Sequence, residues 1–231
     1  MPQPDLPPKL EGKRLVLGVS GGIAAYKACD LASRLVKDKA RVTAVLTHGA
    51  EQFVTPYVFE ALTGQPCFTE NFRRIKPGET AYPHIDLALE ADAIVVAPAT
   101  ASLIARLAAG MADELLATLL LTARCPVVVC PAMNVQMWEH AATQRNIKTL
   151  TQYGYRILGP ASGALACGMQ GAGRMVEPAD IHEFVRKLFD GGASTNFPGS
   201  GAKGRVERKG QKREKRTKRG KRGKEGEQKT T

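Results

Sequence analysis

The chain has 231 residues, of which 43% are hydrophobic, so it can build one good-sized domain around a core of its own. Its net charge of +11 is concentrated in residues 201–231, where 14 Lys or Arg stand against 4 Asp or Glu. The first 200 residues are close to neutral, at +1, which argues against a nucleic-acid-binding surface on the folded part.

The strands predicted along the chain are short apolar runs that alternate with helix-like segments. Strands that are apolar throughout and alternate with helices indicate a parallel sheet covered on both faces. The sequence therefore predicts an α/β fold, a three-layer, doubly wound parallel sheet of the Rossmann-like kind. In chain order the predicted strands are "RLVLGV" (14–19), "RVTAVLT" (41–47), "AIVVAPAT" (93–100), "PVVVCPAMN" (126–134) and a weaker "YRILGP" (155–160).

The predicted helices carry apolar residues at three- and four-residue spacing. Sheets of this kind bind ligands beyond the carboxyl ends of their strands, at the point where the strand order reverses. We therefore expect the functional residues in the loops that follow the strands. The predicted helices are "IAAYKACDLASRLVKDKA" (23–40), "TASLIARLAAG" (100–110), "MADELLATLLLTAR" (111–124) and "ATQRNIKTLTQYG" (142–154).

Composition divides the chain into three parts. Residues 1–12 are interpreted as an N-terminal extension and residues 13–190 as the folded, ligand-binding domain. Residues 191–231 form a basic tail rich in Gly, Ser, Lys and Arg, with few apolar residues. Such a segment cannot bury enough surface to fold, so the tail is expected to be disordered.

The loop after the first strand is rich in glycine, with Gly18, Gly21 and Gly22 before the first helix. Backbone N–H groups at a helix start favour a phosphate. The spacing matches neither a dinucleotide fingerprint nor a P-loop, and the second strand ends in Thr47-His48 without an acidic residue for a ribose. Two interpretations stay open: the phosphate of a mononucleotide such as FMN, or a tight turn that only allows close packing.

The cysteines and the first residues bear on metal binding and location. No C-x-x-C pair and no nearby cluster of Cys and His has zinc-site spacing, so no metal is expected. The first 12 residues do not resemble a signal peptide, and no apolar run is long enough to span a bilayer. We expect a cytoplasmic protein with free thiols. The five cysteines are Cys29, Cys67, Cys125, Cys130 and Cys167.

Four motifs in a fixed order carry a family resemblance. They are "GVSGGIAAYK", "APATASLIARLAAGMA", "PAMNVQMW" and "ACGMQGAGRM". Together they resemble the flavin-dependent cysteine decarboxylases, above all the phosphopantothenoylcysteine decarboxylases, which in many bacteria form the N-terminal half of a bifunctional decarboxylase–synthetase. The resemblance covers residues 13–189, and its P-x-M-N-x-x-M-W element is the specific part.

The resemblance implies FMN as the cofactor and assigns residues by position. The catalytic residues are His84, in "HIDLALEAD", and Cys167, in a glycine-rich flap. Asn134 is expected to bind the substrate carboxylate, and Met133 and Ala166 are also expected to contact the substrate. Met133 can equally be a packing residue without a role in binding. The implied FMN contacts are Gly21, Gly22, Ile23, Thr47, Gly49, Thr100, Ala101, Ser102 and Ala132.

The implied reaction is decarboxylation of 4′-phospho-N-pantothenoyl-L-cysteine to 4′-phosphopantetheine in coenzyme A biosynthesis. FMN oxidises the thiol to a thioaldehyde, CO2 leaves, and the flavin returns its electrons. Asn134 orients the carboxylate without adding a charge. His84, at a predicted helix start where the dipole disfavours imidazolium, acts as a neutral base, and Cys167 protonates the enethiolate. The family assembles as trimers or dodecamers, with FMN and substrate at subunit contacts.

Two departures from the family pattern remain. Met169 stands where relatives commonly have an acidic residue, and only the basic tail follows residue 189, so a separate synthetase is expected. The tail is expected to bind polyanions weakly and without specificity. The alternatives are a peptidyl-cysteine decarboxylase of the same family and a flavin-binding regulatory subunit without catalysis. His84 as a surface residue and Asn134 as a helix N-cap are the purely structural interpretations.

Overall fold

The computed structural model describes residues 9–69, 83–165 and 168–190. Within these ranges the centre of the fold is a five-stranded sheet in which all strands run parallel, in the order β2-β1-β3-β4-β5. This confirms the predicted parallel, doubly wound sheet. Its strands are β1 (Arg14–Val19), β2 (Arg41–Leu46), β3 (Ala93–Ala99), β4 (Val127–Pro131) and β5 (Arg156–Ile157).

The strand order reverses at β1. This strand lies between β2 and β3, so that Leu15 is paired with Val42 on one side and Ala93 on the other. After β1 the chain turns towards one edge of the sheet, and after β3 it turns towards the other. The two loops therefore diverge and leave a crevice at the carboxyl ends of these strands.

Helices cover both faces of the sheet, as the apolar strands require. Leu15 and Leu17 face one core with α1 and α8, whereas Val16 faces a second core with α4, α5 and α7. The helices are α1 (Ala25–Lys37), α2 (Pro56–Thr63), α3 (Pro83–Glu90), α4 (Ala101–Ala108), α5 (Leu115–Thr122), α6 (Val135–Glu139), α7 (Ala141–Gln152) and α8 (Pro178–Leu188).

A two-stranded antiparallel hairpin stands apart from the main sheet. It consists of β6 (Ala161–Ala164) and β7 (Gln170–Arg174). The predicted glycine-rich flap falls in this hairpin, and the glycines of β7 lie in a strand that packs on α6. Of the segment between the strands, Ala166 and Cys167 lie outside the described residues.

A buried ion network fixes α8 onto α1. The Asp38 side chain, 4% exposed, accepts hydrogen bonds from the Lys9 backbone N–H at 2.8 Å and from the Arg186 guanidinium at 2.9 Å. His182 Nε2 lies 3.0 Å from the same carboxylate. This anchoring places the start of α8 beside α1. Within the described ranges, no helix combines the length and apolar character that crossing a bilayer requires.

Candidate functional site

A cleft of about 700 Å³ opens at the carboxyl ends of β1 and β3, where the strand order reverses. Its walls are mostly apolar, and its polar groups converge from the strand-end loops, α1 and β7. Concave, largely apolar sites with a few placed polar groups are typical of cofactor and ligand binding. The lining residues are Gly21, Gly22, Ile23, Ala24, Tyr26, Lys27, Thr100, Ala101, Ser102, Ala132, Met133, Asn134, Met137, Ala164, Leu165, Gly173, Arg174 and Met175.

Ser20 joins the two loops that form the floor of the cleft. Its side chain is buried, and its hydroxyl donates to the Pro98 carbonyl at 2.8 Å and accepts from the Thr100 N–H at 2.9 Å. The hydroxyl therefore connects the end of β1 with the start of α4. Ser20 was not among the residues predicted to form the site.

Gly21 lies where two backbones meet. A Cβ added there would lie 2.5 Å from the carbonyl oxygen of Gly49, closer than any side chain tolerates. The loop after β2 is thereby pressed against the loop after β1. Glycine is required at position 21 because of this close approach, not because of an unusual backbone angle.

The starts of two helices, α1 and α4, lie at the cleft. In α1 the Ala25 and Lys27 N–H groups already donate to the Gly22 and Ala24 carbonyls. Ala24 precedes the first residue of α1, and Thr100 caps α4 by accepting the Leu103 N–H at 3.3 Å. Ala101 and Ser102, in the first turn of α4, also line the cleft. N–H groups of a first helical turn have no partner within the helix, so this edge favours an anion.

Asn134 caps α6 and also faces the cleft. Its side-chain oxygen accepts the Gln136 N–H at 2.8 Å, while its amide nitrogen donates to the Met169 sulfur at 3.2 Å. The neighbouring Met133 N–H donates to the Gly173 carbonyl at 2.9 Å, which attaches β7 to the same loop. The N-cap interpretation of Asn134 is confirmed, and its amide nitrogen remains directed away from the helix.

Two cations and one carboxylate stand at the border of the cleft. Glu177 Oε1 accepts from Lys27 Nζ at 2.9 Å and from the Arg174 guanidinium at 2.7 Å. The hydrogen bond from Lys27 is the main reason that the pKa of Glu177 is lowered. Arg174 Nε is buried and makes no hydrogen bond within the described residues. With one net positive charge, this group favours an anionic ligand.

Most of the predicted contacts come together in this cleft. Thr47 and Gly49 do not line it, although Gly49 lies directly behind Gly21. His84 lies in the first turn of α3, at the helix start predicted for it, and it too is absent from the described lining. Ala166 and Cys167 lie outside the described residues. The predicted residues in the lining are Gly21, Gly22, Ile23, Thr100, Ala101, Ser102, Ala132, Met133 and Asn134.

Two charged residues at the border of the cleft, Lys27 and Glu177, were not predicted from the sequence. Lys27 was hidden in the predicted helix α1, and Glu177 lies before α8, which was not predicted. A signal was present: Glu177-Pro178 followed by apolar residues at helical spacing marks a helix start. The ion pairs that join Lys27, Arg174 and Glu177 could not be predicted, because they link α1 to a segment 150 residues away.

Four cysteines of the described chain are unpaired thiols, and none lines the cleft. Burial raises the pKa of Cys67 to about 12 and that of Cys125 to about 11, and it also raises that of Cys130. Thiols held in the neutral form are poor nucleophiles and metal ligands. Within the residues described, no group of His, Cys, Asp and Glu could hold a metal ion.

Comparison with known proteins places these features in a family. The flavoprotein family profile matches residues 5–190. The coenzyme A biosynthesis bifunctional protein CoaBC of Vibrio cholerae serotype O1 is 48% identical over 180 residues. The match covers 78% of this chain and 45% of that protein, so the chain spans less than half of this relative.

Two solved structures have the same fold over nearly their whole length. A cysteine-to-serine mutant of PPC decarboxylase complexed with pantothenoylaminoethenethiol is 29% identical, with a TM-score of 0.68, over 78% of this chain and 99% of that chain. The FMN-dependent cysteine decarboxylase SpaF is 30% identical, with a TM-score of 0.66, over 78% and 97%. The family profile over residues 5–190 and these two structures agree with the parallel sheet described above, and the chain belongs to the flavoprotein family.

Proposed function

We propose that this protein is an FMN-dependent decarboxylase that converts 4′-phospho-N-pantothenoyl-L-cysteine to 4′-phosphopantetheine in coenzyme A biosynthesis. One observation carries the proposal. The loops expected to contact FMN, after β1, β3 and β4, line a single cleft together with Asn134, the residue expected to bind the substrate carboxylate. The similarity to CoaBC and to PPC decarboxylase supports the substrate.

The cleft fits FMN in charge and shape. Its apolar walls suit an isoalloxazine ring, and the starts of α1 and α4, with Lys27 nearby, suit a phosphate. Of the two interpretations of the loop after β1, we therefore favour a phosphate site for a mononucleotide over a tight turn that only allows close packing. Bound FMN supplies a two-electron oxidation of the substrate thiol and the later return of those electrons.

Three residues of this chain do the remaining work. Asn134 donates its amide N–H to the substrate carboxylate, a neutral contact that allows departure as neutral CO2. His84 accepts the proton released on thiol oxidation, and Cys167 protonates the enethiolate when electrons return. Met133 and Ala166 contribute substrate contacts, and Thr47 and Gly49 support the cofactor loop from behind.

The assembly we propose is a homotrimer, or a dodecamer built of trimers, with the cleft at a subunit contact. Three apolar side chains at the cleft are unusually open: Ile23 is 63%, Tyr26 61% and Met137 48% exposed. Exposed apolar groups clustered around a binding site indicate a covering partner. A neighbouring copy would then supply His84, which does not line the described cleft of its own chain.

The remaining parts of the proposal concern the rest of the chain. Residues 13–190 form the decarboxylase domain, and residues 191–231 form a basic tail that binds polyanions weakly. The family profile matches residues 5–190, so it also includes part of the segment predicted as an N-terminal extension. Ligation of cysteine is left to a separate synthetase. The reduced thiols of the described core support a cytoplasmic location.

The experiment that tests the function begins with colour. We expect the purified protein to be yellow, to release FMN on denaturation and to liberate CO2 from the phosphopantothenoyl substrate. A colourless protein that takes up no added FMN would contradict the cofactor. A yellow protein that decarboxylates only peptides ending in cysteine would favour the peptidyl alternative, and one without any turnover the regulatory alternative.

Cys167→Ser tests the order of events. The variant should oxidise the substrate and release CO2 but leave the flavin reduced and an oxidised product, because the final proton donor is missing. Absorbance at the flavin band measures the redox state of the flavin, and mass spectrometry identifies the product. Production of 4′-phosphopantetheine at the normal rate would remove Cys167 from the reaction.

A further inference from the structure

Ser20 is a buried residue that joins the two loops on either side of the crevice. It is 1% exposed, and its hydroxyl donates to the Pro98 carbonyl at 2.8 Å while it accepts the Thr100 N–H at 2.9 Å. The backbone N–H of Ser20 donates to the same Pro98 carbonyl at 3.2 Å. Three hydrogen bonds thus run from one residue after β1 to the end of β3 and the start of α4.

These hydrogen bonds lie where strand pairing no longer holds the two chains together. The parallel ladder between β1 and β3 ends at the pair formed by Gly18 and Val96. Beyond that pair, the chain after β1 turns towards one edge of the sheet and the chain after β3 towards the other. The Ser20 hydroxyl therefore fixes the separation of the two loops at the point where they begin to diverge.

A defined set of backbone donors stays open beside this bridge. The N–H groups of Ser20 and Thr100 have acceptors, whereas the next two N–H groups along each loop have none among the described residues. All four belong to residues that line the cleft, so two pairs of donors, one on each loop, lie at the same cavity. The four residues are Gly21, Gly22, Ala101 and Ser102.

We propose that Ser20 is a positioning residue that sets the separation of these two pairs of donors and thereby the affinity for FMN. This inference rests on the proposed function, in which the cleft binds FMN. Donors that are already held in place bind a ligand more tightly than donors on loops that must be ordered during binding. A hydroxyl suits this position, because it can donate to a carbonyl and accept from an N–H at the same time.

Three substitutions at position 20 grade the bridge between the loops. Ser20→Ala removes it, Ser20→Cys leaves a thiol that is a weak donor and acceptor, and Ser20→Thr keeps the hydroxyl. We expect the dissociation constant of FMN to rise about tenfold in the Ala variant and about threefold in the Cys variant, and to stay within about twofold in the Thr variant. Equilibrium dialysis of the FMN-loaded proteins measures this constant without any substrate turnover.

Hydrogen exchange shows where in the protein the bridge acts. The Thr100 N–H loses its acceptor in Ser20→Ala, so its exchange in the FMN-loaded protein should be about tenfold faster than in the wild type. In Ser20→Thr the acceptor is kept, and exchange should return to the wild-type rate. Unchanged exchange at Thr100 in Ser20→Ala would show that the hydroxyl does not hold the start of α4.

Tyr155→Phe is the matched control for the loss of a buried hydroxyl. The Tyr155 hydroxyl donates to the Leu120 carbonyl at 3.3 Å, and the residue is buried and does not line the cleft. Both Tyr155→Phe and Ser20→Ala should lower the stability of the fold, because each removes a buried hydrogen bond. Only Ser20→Ala should also weaken FMN binding, and a merely structural role of Ser20 would not produce this difference.

The experiment separates this proposal from the function on which it rests. A wild-type protein that binds no FMN would refute the function itself. Normal FMN binding by the wild type and by Ser20→Ala would refute only the role of Ser20, as would an equal loss of affinity in Tyr155→Phe or no recovery in a folded Ser20→Thr. Thermal unfolding identifies any variant that fails to fold, and the Ala and Cys pair still tests the bridge if the extra methyl group of Thr does not fit.

Discussion

At the scale of single residues, the site depends on contacts in which no side chain takes part. Gly21 touches the backbone of Gly49, and Gly173 accepts a hydrogen bond from the Met133 backbone. A Cβ at either glycine would clash with backbone atoms, which cannot move aside as a side chain can. Because these glycines have no side chains, the loops after β1 and β2 pack backbone against backbone, and β7 packs in the same way on the loop after β4.

Gly21→Ala should therefore destabilise the protein and weaken FMN binding. Moving two backbones apart costs about 1–3 kcal/mol, as other overpacked sites do. Urea unfolding and titration with FMN measure the two effects. Gly22→Ala is the matched control for stability alone, because its Cβ would lie 3.7 Å from Thr100 Cγ2, an ordinary contact. Equal stability of the two variants would show that the Gly21 contact is not rigid.

Residue types that carry a motif could be predicted from the sequence, whereas contacts across the fold could not. Asn134 was predicted as both a helix N-cap and a cleft residue, and it is found in both places. Ser20 and Lys27 were missed because their partners, Pro98 and Glu177, lie 78 and 150 residues away. Spacing along the chain reveals local periodicity, but it does not reveal which distant loops meet.

At the scale of elements, the strands were the best predicted. The boundaries of β1 match the prediction, since its apolar run is continuous and ends at a glycine turn. The β6–β7 hairpin was missed because glycines do not indicate a strand. In β7, Gly171 and Gly173 have φ of 150° and lie against the Asn134 loop, a backbone that side chains would not fit. Packing of β7 against this loop therefore decided its structure, although glycine has a low propensity for strands.

Glu177 connects two of these elements, and Glu177→Gln should loosen that connection. The carboxylate holds Lys27 of α1 and Arg174 of β7, but its side chain is 44% exposed, so the expected loss of stability at neutral pH is about 1 kcal/mol or less. The lowered pKa of Glu177 means that this stability is present above its ordinary value of 4.5 and is lost as the pH falls below it.

Urea unfolding of the wild type and of Glu177→Gln between pH 7 and pH 3 measures the difference between their free energies of unfolding. This gap should narrow below about pH 4.5. Glu183→Gln, on the helix that Glu177 precedes, is the control, because Glu183 pairs only with Lys187 among the ion pairs of the described chain, in an exposed pair. A gap that is independent of pH, or one equally large for Glu183→Gln, would mean that the charge of Glu177 does not join α1 to β7.

At the scale of the whole molecule, one chain leaves its site open. The cleft has three exposed apolar side chains at its border, and the predicted base His84 does not line it in the described structure. Burial of such apolar surface favours association, and closed rings of identical subunits place the same two surfaces at every contact. A site shared between neighbours would explain both the open border and the position of His84 on α3.

Mixed assemblies test the shared site directly. His84→Asn and Asn134→Ala should each bind FMN and be inactive alone. When the two variants are expressed together in equal amounts, about a quarter of the sites in a cyclic assembly combine an intact Asn134 with an intact His84 from the neighbour. In trimers purified through two different tags, all of which contain both variants, one site of this kind is present per trimer, so decarboxylation should return to about a third of the wild-type rate.

Mixing the two purified variants without exchange of subunits is the control, and it should remain inactive. Recovery in the coexpressed assembly and its absence in the control would locate His84 and Asn134 of one site on different copies. If both variants are inactive alone and coexpression restores nothing, His84 serves the cleft of its own chain. The helix that carries it must then move towards the cleft when substrate binds, because the described lining does not include it.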